Sequence, residues 1–168
     1  MSNLVKILVL AILIIALLCI FIFIVIPKGH EMSGRLSNDK KCQRNLDYLG
    51  GLISYSDNNQ AIYSPFAENW CDILIQKDGA YLDPNIFICP VAQKGRSTYA
   101  MNKNIIGLKK IPDDIVVLFD SKPGWNQVGG HELLAPENHN GTGCYILFGH
   151  MFAEFVDIND LDKLRWKP

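Results

Sequence analysis

The sequence lacks the motifs that mark several large classes of protein. It has no Cys-x-x-Cys pair and no Asp-x-Asp-x-Asp run, so a zinc ribbon and a calcium loop have no support. Sixteen basic and 17 acidic residues give a formal charge of −1 without a basic stripe, which argues against nucleic acid as a partner. Internal repeats and low-complexity tracts are also absent. The 168 residues therefore suit one folded domain with an additional terminal segment.

Charge is missing altogether from one stretch near the N-terminus. The twenty residues Ile7–Ile26 are all apolar and include no proline or glycine. At about 1.5 Å per residue, a helix of this length matches the roughly 30 Å hydrocarbon core of a bilayer. No Ala-x-Ala cleavage pattern precedes Pro27 and Lys28. We therefore expect a single-pass transmembrane anchor over residues 1–27, with membrane lipid as the partner of Ile7–Ile26, and a globular domain over residues 28–168.

The charges that flank this run leave its orientation open. Five basic residues follow it within a short distance, and only Lys6 precedes it. By the positive-inside rule alone, the globular domain would lie in the cytoplasm. The five are Lys28, Arg35, Lys40, Lys41 and Arg44.

A second helical pattern is expected over about residues 39–57. Apolar residues recur there at offsets of four, seven and eleven, which places them on one face of a helix. This stripe consists of Cys42, Leu46, Leu49 and Ile53. Between the two patterns, residues 28–39 suggest a bend after Pro27, since proline and the nearby glycines weaken a helix. Gly50 and Gly51 also weaken the second helix, which favours a packing reason for their presence.

Short elements separated by turns follow residue 60. Residues 70–76 suggest a short helix, and the β-branched run 115–119 suggests a buried strand. Residues 145–148 and 152–156 are separated by a glycine-containing turn, as in a hairpin. The predicted fold is α+β: a long N-terminal helix, with a transmembrane half and an amphipathic half, packed on a small antiparallel sheet.

Four cysteines lie outside the apolar run and allow three pairings. They are Cys42, Cys71, Cys89 and Cys144. A disulfide among them requires an oxidising environment. The residues alone do not select one pairing.

The order of several short motifs resembles a known family. An apolar helix with Pro27 near its end is followed by Cys42–Leu46 and then by Phe87–Pro90. A strand that ends in aspartate, Ile115–Asp120, precedes the turn His139–Gly141 and the hairpin. Together these motifs resemble the type IV pilin-like pseudopilins, in the group whose C-terminus carries a processing-associated box of His, nine residues and Asp-Gly.

This resemblance implies a function, a location and a disulfide. A pseudopilin is a non-enzymatic structural or assembly component of a type II secretion or type IV pilus-like system, and it binds other pilin-like subunits or assembly proteins. It sits in the bacterial inner membrane with its globular domain in the periplasm. The resemblance favours a Cys42–Cys89 disulfide, because both cysteines lie in family-like motifs. No glutamate precedes Glu31 to register neighbouring subunits, which favours a minor role in the assembly.

The alternative hypothesis is an anchored extracytoplasmic ligand- or metal-binding module. His139, His150 and Glu154 are its metal candidates, since imidazole and carboxylate groups bind transition metals. A small anchored hydrolase ranks third, with Cys89 as the nucleophile and a histidine as its base. The favoured hypothesis needs no catalytic residue and no cofactor.

Overall fold

The computed structural model of the chain describes residues 12–19, 26–56, 67–78, 82–92 and 95–168. The chain divides into two compact units, Met1–Ser37 and Asn38–Pro168. In the first unit, residues 12–19 are helical and their side chains are exposed. The sequence predicts a domain boundary after residue 27, whereas the division between the two units falls after Ser37.

The first correction concerns the predicted transmembrane anchor. Among the residues that the structure describes, no helix is both long enough and apolar enough to cross a bilayer. Residues 7–11 and 20–25 of the predicted anchor lie outside the described residues. This finding overturns the membrane, single-pass and inner-membrane predictions, together with the periplasmic placement of the domain.

The helix α1 runs over Ile26–Ser56. The predicted bend after Pro27 is wrong, because α1 continues without a break through residues 28–39. The predicted transmembrane half of a long N-terminal helix is wrong as well, because no helix among the described residues is both long and apolar enough to form it. The second helix, α2, runs over Trp70–Asp78 and confirms the short helix predicted there.

Five strands form one mixed sheet in the order β3-β1-β2-β4-β5. Their bounds are Ser97–Asn102 (β1), Val116–Gly124 (β2), Val128–Gly129 (β3), Gly143–Phe148 (β4) and Ala153–Asp157 (β5). The predicted hairpin is confirmed, since β4 and β5 pair antiparallel. The prediction of a purely antiparallel sheet is wrong, because the two-residue strand β3 pairs parallel to β1.

The apolar stripe of α1 packs against one face of this sheet. Its four members, Cys42, Leu46, Leu49 and Ile53, are fully buried in one core cluster with residues of β1, β2 and β4. Burying a leucine or isoleucine side chain contributes about 1.5–3 kcal/mol, so the stripe is a large part of what holds the helix in place.

Polar side chains of α1 also bind the backbone that surrounds it. The amide of Gln43 donates to the carbonyl of Ala153 at 2.8 Å, and the N–H of Ala153 donates to the carboxylate of Asp47 at 2.6 Å. The amide of Asn45 donates to the carbonyl of Ile88 at 2.9 Å. The helix is therefore fixed both to the start of β5 and to the loop that contains Cys89.

The opposite face of the sheet has its own, smaller apolar cluster. Phe119 and Ile146 are buried there under the C-terminal segment. Leu161 packs into this cluster, and the ring of Trp166 lies 5.0 Å from that of Phe119. With α1 on one face and the C-terminal segment on the other, the sheet is covered on both sides.

Candidate functional site

A group of interacting titratable side chains lies where α1 meets the sheet. Asp39 and Cys42 come from neighbouring turns of α1, and Cys89 follows the short 3-10 helix Pro84–Phe87. Asp120 belongs to β2, and His139 ends the 3-10 helix Pro136–His139. Four separate parts of the chain thus contribute to one cluster, which we call the His139 cluster.

His139 is held between two carboxylates. Its Nδ1 lies 3.0 Å from Oδ1 of Asp39, and its Nε2 lies 2.9 Å from Oδ2 of Asp120. The next residue, Asn140, adopts the left-handed conformation, and the hydroxyl of Thr142 donates to the carbonyl of His139 at 2.6 Å. The turn thereby fixes the position of the imidazole ring.

The electrostatics of the cluster favour a protonated imidazole. Burial acts to lower the pKa of His139, but hydrogen bonds and the negative charges of Asp120 and Asp39 outweigh it and raise that pKa above its ordinary value. Burial raises the pKa of Asp120, while His139 and the N–H of Tyr145 act in the opposite direction. A cationic ring between two carboxylates is the arrangement in which each buried charge has a partner.

Asp120 is the most deeply buried member of the cluster, with no exposed surface. Its Oδ2 accepts from the N–H of Tyr145 at 2.6 Å as well as from His139. Its Oδ1 is buried, and no described residue donates a hydrogen bond to it. Buried acceptors normally have a partner, so this oxygen has an unused binding capacity.

Aromatic rings cover the open side of the imidazole. The rings of Tyr145 and Phe155 lie 5.2 and 5.8 Å from the His139 ring, each edge to face. Only about 3% of the His139 side chain is exposed. The aromatic cover keeps water away from the ring and strengthens its interactions with the carboxylates.

A disulfide lies directly beside His139. Cys42 and Cys89, the pair that the resemblance favours, are joined in the structure with a Cα–Cα distance of 4.7 Å. Sγ of Cys89 lies 3.6 Å from Nε2 of His139. The other cysteines that the structure describes are free thiols: Cys19 is exposed, and Cys71 and Cys144 are buried.

The structure separates the residues that the sequence suggests as metal ligands. His139 lies in the buried cluster, whereas Nε2 of His150 lies 3.9 Å from Oε1 of Glu154 at the exposed β4–β5 turn. Among the described residues, the group whose ligand atoms converge is Cys42, Cys89 and His139, all within 4.8 Å of one another. The suggested nucleophile and base, Cys89 and His139, are neighbours, but the sulfur is bonded to Cys42.

Asp39 and Asp120 are the functional-site residues that the sequence analysis does not identify. The sequence shows Asp120 only as the end of an apolar strand and Asp39 only as the start of a helix. One signal was available: a carboxylate that ends a run of buried β-branched residues needs a buried partner, and a histidine that begins a turn can supply one.

A shallow groove of about 590 Å³ lies on another part of the surface. Its lining includes Lys103, Glu132, Arg165 and Trp166. Lys103 pairs with Glu132 at 3.6 Å, and both side chains are about half exposed. Because its charges are of both signs and its polar groups are solvated, the groove favours no particular ligand.

The His139 cluster can therefore perform two kinds of chemistry. It holds an imidazole between a buried carboxylate and a partly exposed one, and it holds two sulfur atoms within reach of an imidazole nitrogen. Comparison of the chain with protein-family models, with characterised proteins and with solved structures finds no match.

Proposed function

We propose that this chain is a non-enzymatic structural subunit of the pseudopilin type, which joins other pilin-like subunits or the proteins of a type II secretion or type IV pilus-like assembly. The observation that supports the proposal is the His139 cluster, which ties α1 to the sheet. A structural subunit needs such a connection, because forces applied to its helix must reach its globular domain.

Three kinds of interaction connect α1 to the sheet. The Cys42–Cys89 disulfide is covalent, the Asp39–His139–Asp120 bridge is charge-assisted, and the stripe adds apolar packing. A subunit that is rigid before assembly loses little conformational entropy on binding. The architecture thus favours binding to other subunits in an assembly over catalysis.

Contact with other subunits requires a surface other than the stripe, because the stripe is buried within its own domain. The edge strand β5 offers one. Phe155 within it, Phe152 directly before it and Ile158 directly after it expose 43, 67 and 42% of their surface. An exposed edge strand with large apolar side chains is suited to binding a second protein.

In-cell photocrosslinking tests the proposal. A photoreactive amino acid at Phe152 of the full chain, expressed in its native cell, should yield adducts with chains that carry pilin-like sequences. The same amino acid at Lys103 is the matched control and should yield far fewer adducts. Lys103 directly follows β1, a strand that β2 and β4 separate from β5 in the sheet. Equal labelling at the two positions, or adducts at Phe152 with proteins of other kinds only, would contradict the proposal.

A further inference from the structure

We propose that the Cys42–Cys89 pair, once reduced, forms a zinc site together with His139 and Asp120, so that the domain alternates between a disulfide and a metal at one position. The inference goes beyond the assembly role proposed above and does not depend on it. The disulfide and the metal would use the same two sulfur atoms, and they therefore exclude each other.

The first support is the distance between the donor atoms. Zinc binds thiolate sulfur at about 2.3 Å and imidazole nitrogen at about 2.0–2.1 Å, so a tetrahedral ion separates these two donors by roughly 3.6 Å. Sγ of Cys89 and Nε2 of His139 lie 3.6 Å apart. Sγ of Cys42 lies within 4.8 Å of both of these atoms. After reduction, rotation of the two cysteine side chains moves the sulfurs to the roughly 3.8 Å that a tetrahedral site requires.

The second support is the orientation of the imidazole. Nδ1 of His139 faces the carboxylate of Asp39 at 3.0 Å, so Nε2 is the nitrogen on the side of the sulfurs, 3.6 Å from Sγ of Cys89 and 2.9 Å from Oδ2 of Asp120. Histidines that bind zinc through one nitrogen commonly donate the other N–H to a carboxylate, which fixes the tautomer. Asp39 is therefore a positioning residue for the site.

The third support is the unused oxygen of Asp120. This carboxylate lies 2.9 Å from Nε2 of His139, and its Oδ1 is buried without a donor among the described residues. Asp120 lies outside the group of three converging ligand atoms, so its unused oxygen would have to approach the sulfurs to complete a set of four ligands. The hydrogen bond from the N–H of Tyr145 would keep the carboxylate in place through Oδ2.

The interconversion balances with a dithiol reductant. Two electrons and two protons from the reductant convert the disulfide into two thiols, and the reductant becomes a disulfide. Zinc then displaces the two thiol protons and the proton on Nε2. In the oxidised form the S–S bond joins α1 to the loop of Cys89, and in the reduced form the metal makes the same connection.

Metal titration of the full chain tests the inference. A Cys19→Ser/Cys71→Ala/Cys144→Ala variant keeps only the two cysteines of the site. After reduction and refolding, it should bind one equivalent of zinc, and cobalt in its place should give the thiolate charge-transfer and strong d–d bands of a tetrahedral site. The oxidised form of the same variant should bind neither metal.

Variants within the site separate a metal centre from adventitious binding. Cys42→Ala and His139→Gln should each abolish stoichiometric binding, and Asp39→Asn should weaken zinc affinity by about 10- to 100-fold. A reduced chain that stays unfolded when zinc is added would contradict the proposal. Zinc binding that persists in the oxidised form or in His139→Gln would contradict it as well.

Discussion

Burial acts to lower the pKa of His139, but its hydrogen bonds with Asp120 and Asp39 and their negative charges raise that pKa, in a position from which solvent is largely excluded. About 3% of its side chain is exposed, whereas the Asp39 side chain is 29% exposed and that of Asp120 is fully buried. Asp120 therefore depends on His139 for its charge balance, and Asp39 adds a second, partly solvated charge. Removal of Asp39 alone should weaken the bridge without leaving a deeply buried charge unpaired.

The raised pKa of His139 predicts a specific dependence of stability on pH. In the unfolded chain its pKa is about 6.5, and in the folded state it is higher. Between these two values the folded state binds more protons, so the contribution of His139 is complete below about pH 6.5 and is lost as the pH rises through the folded-state pKa.

Asp39→Asn tests this dependence, because it keeps the size of the side chain and removes its charge. Tyr145, Asp120 and the disulfide face the same ring and are unchanged. The variant should reduce the free energy of unfolding by about 1–2 kcal/mol at pH 6 and by less at pH 9. Denaturant unfolding at a series of pH values measures both. A difference between variant and wild type that is constant, or that grows with pH, would contradict the prediction.

At the scale of elements, α1 packs closely against the sheet at a glycine, Gly50. A Cβ atom built on Gly50 would lie 3.0 Å from both methyl carbons of Leu147 in β4, whereas one built on Gly51 would meet no other atom within 4 Å. The two neighbouring glycines of one helix therefore differ in what they contribute. Gly50 permits the packing, and Gly51 only weakens the helix.

Alanine at these two positions should have opposite effects. Gly51→Ala should raise the free energy of unfolding by about 0.8–1 kcal/mol, the difference in helix propensity. Gly50→Ala should lower it by about 1 kcal/mol, because the strain of overpacking against Leu147 exceeds that gain. Thermal and denaturant unfolding of both variants provide the measurement, and each variant is the control for the other. Equal stabilisation by both would show that Leu147 moves aside freely.

The elements also show how much the sequence determines. The stripe, the short helix from Trp70 and the β4–β5 hairpin follow from local periodicity, and the structure contains all three. The parallel pairing of β3 with β1 rests on two residues, Val128 and Gly129, which are too few to produce a pattern. The sequence does not predict that α1 continues past Pro27, because sequence patterns locate helix ends poorly.

The His139 cluster was predictable only in part, for a related reason. The resemblance favours the cysteine pair because each cysteine lies in a motif of its own. No comparable motif singles out the carboxylates. Asp39 and His139 are 100 residues apart, and Asp120 is one of 17 acidic residues. Long-range pairing of this kind is set by the packing of α1 on the sheet, and the local signal at Asp120 indicates only that a buried partner is needed, not which residue it is.

At the scale of the whole molecule, the disulfide connects parts that are distant along the chain. It joins residues 47 positions apart and closes a loop that contains the C-terminal half of α1, residues 42–56, and all of α2. Linking residues at this separation restricts the unfolded chain by about 4 kcal/mol in the loop-entropy model. The domain that includes Asn38–Pro168 should therefore depend strongly on this bond for its stability.

The paired substitution Cys42→Ala/Cys89→Ala should lower the free energy of unfolding by about 2–4 kcal/mol in the absence of metal. The control is Cys71→Ala/Cys144→Ala, which removes two buried free thiols and leaves the disulfide intact. Because loop entropy acts on the unfolded chain, the first variant should also unfold to a more expanded state, with a larger denaturant m-value than the control. Equal losses in both variants would assign the effect to local packing and not to the covalent link between α1 and the loop.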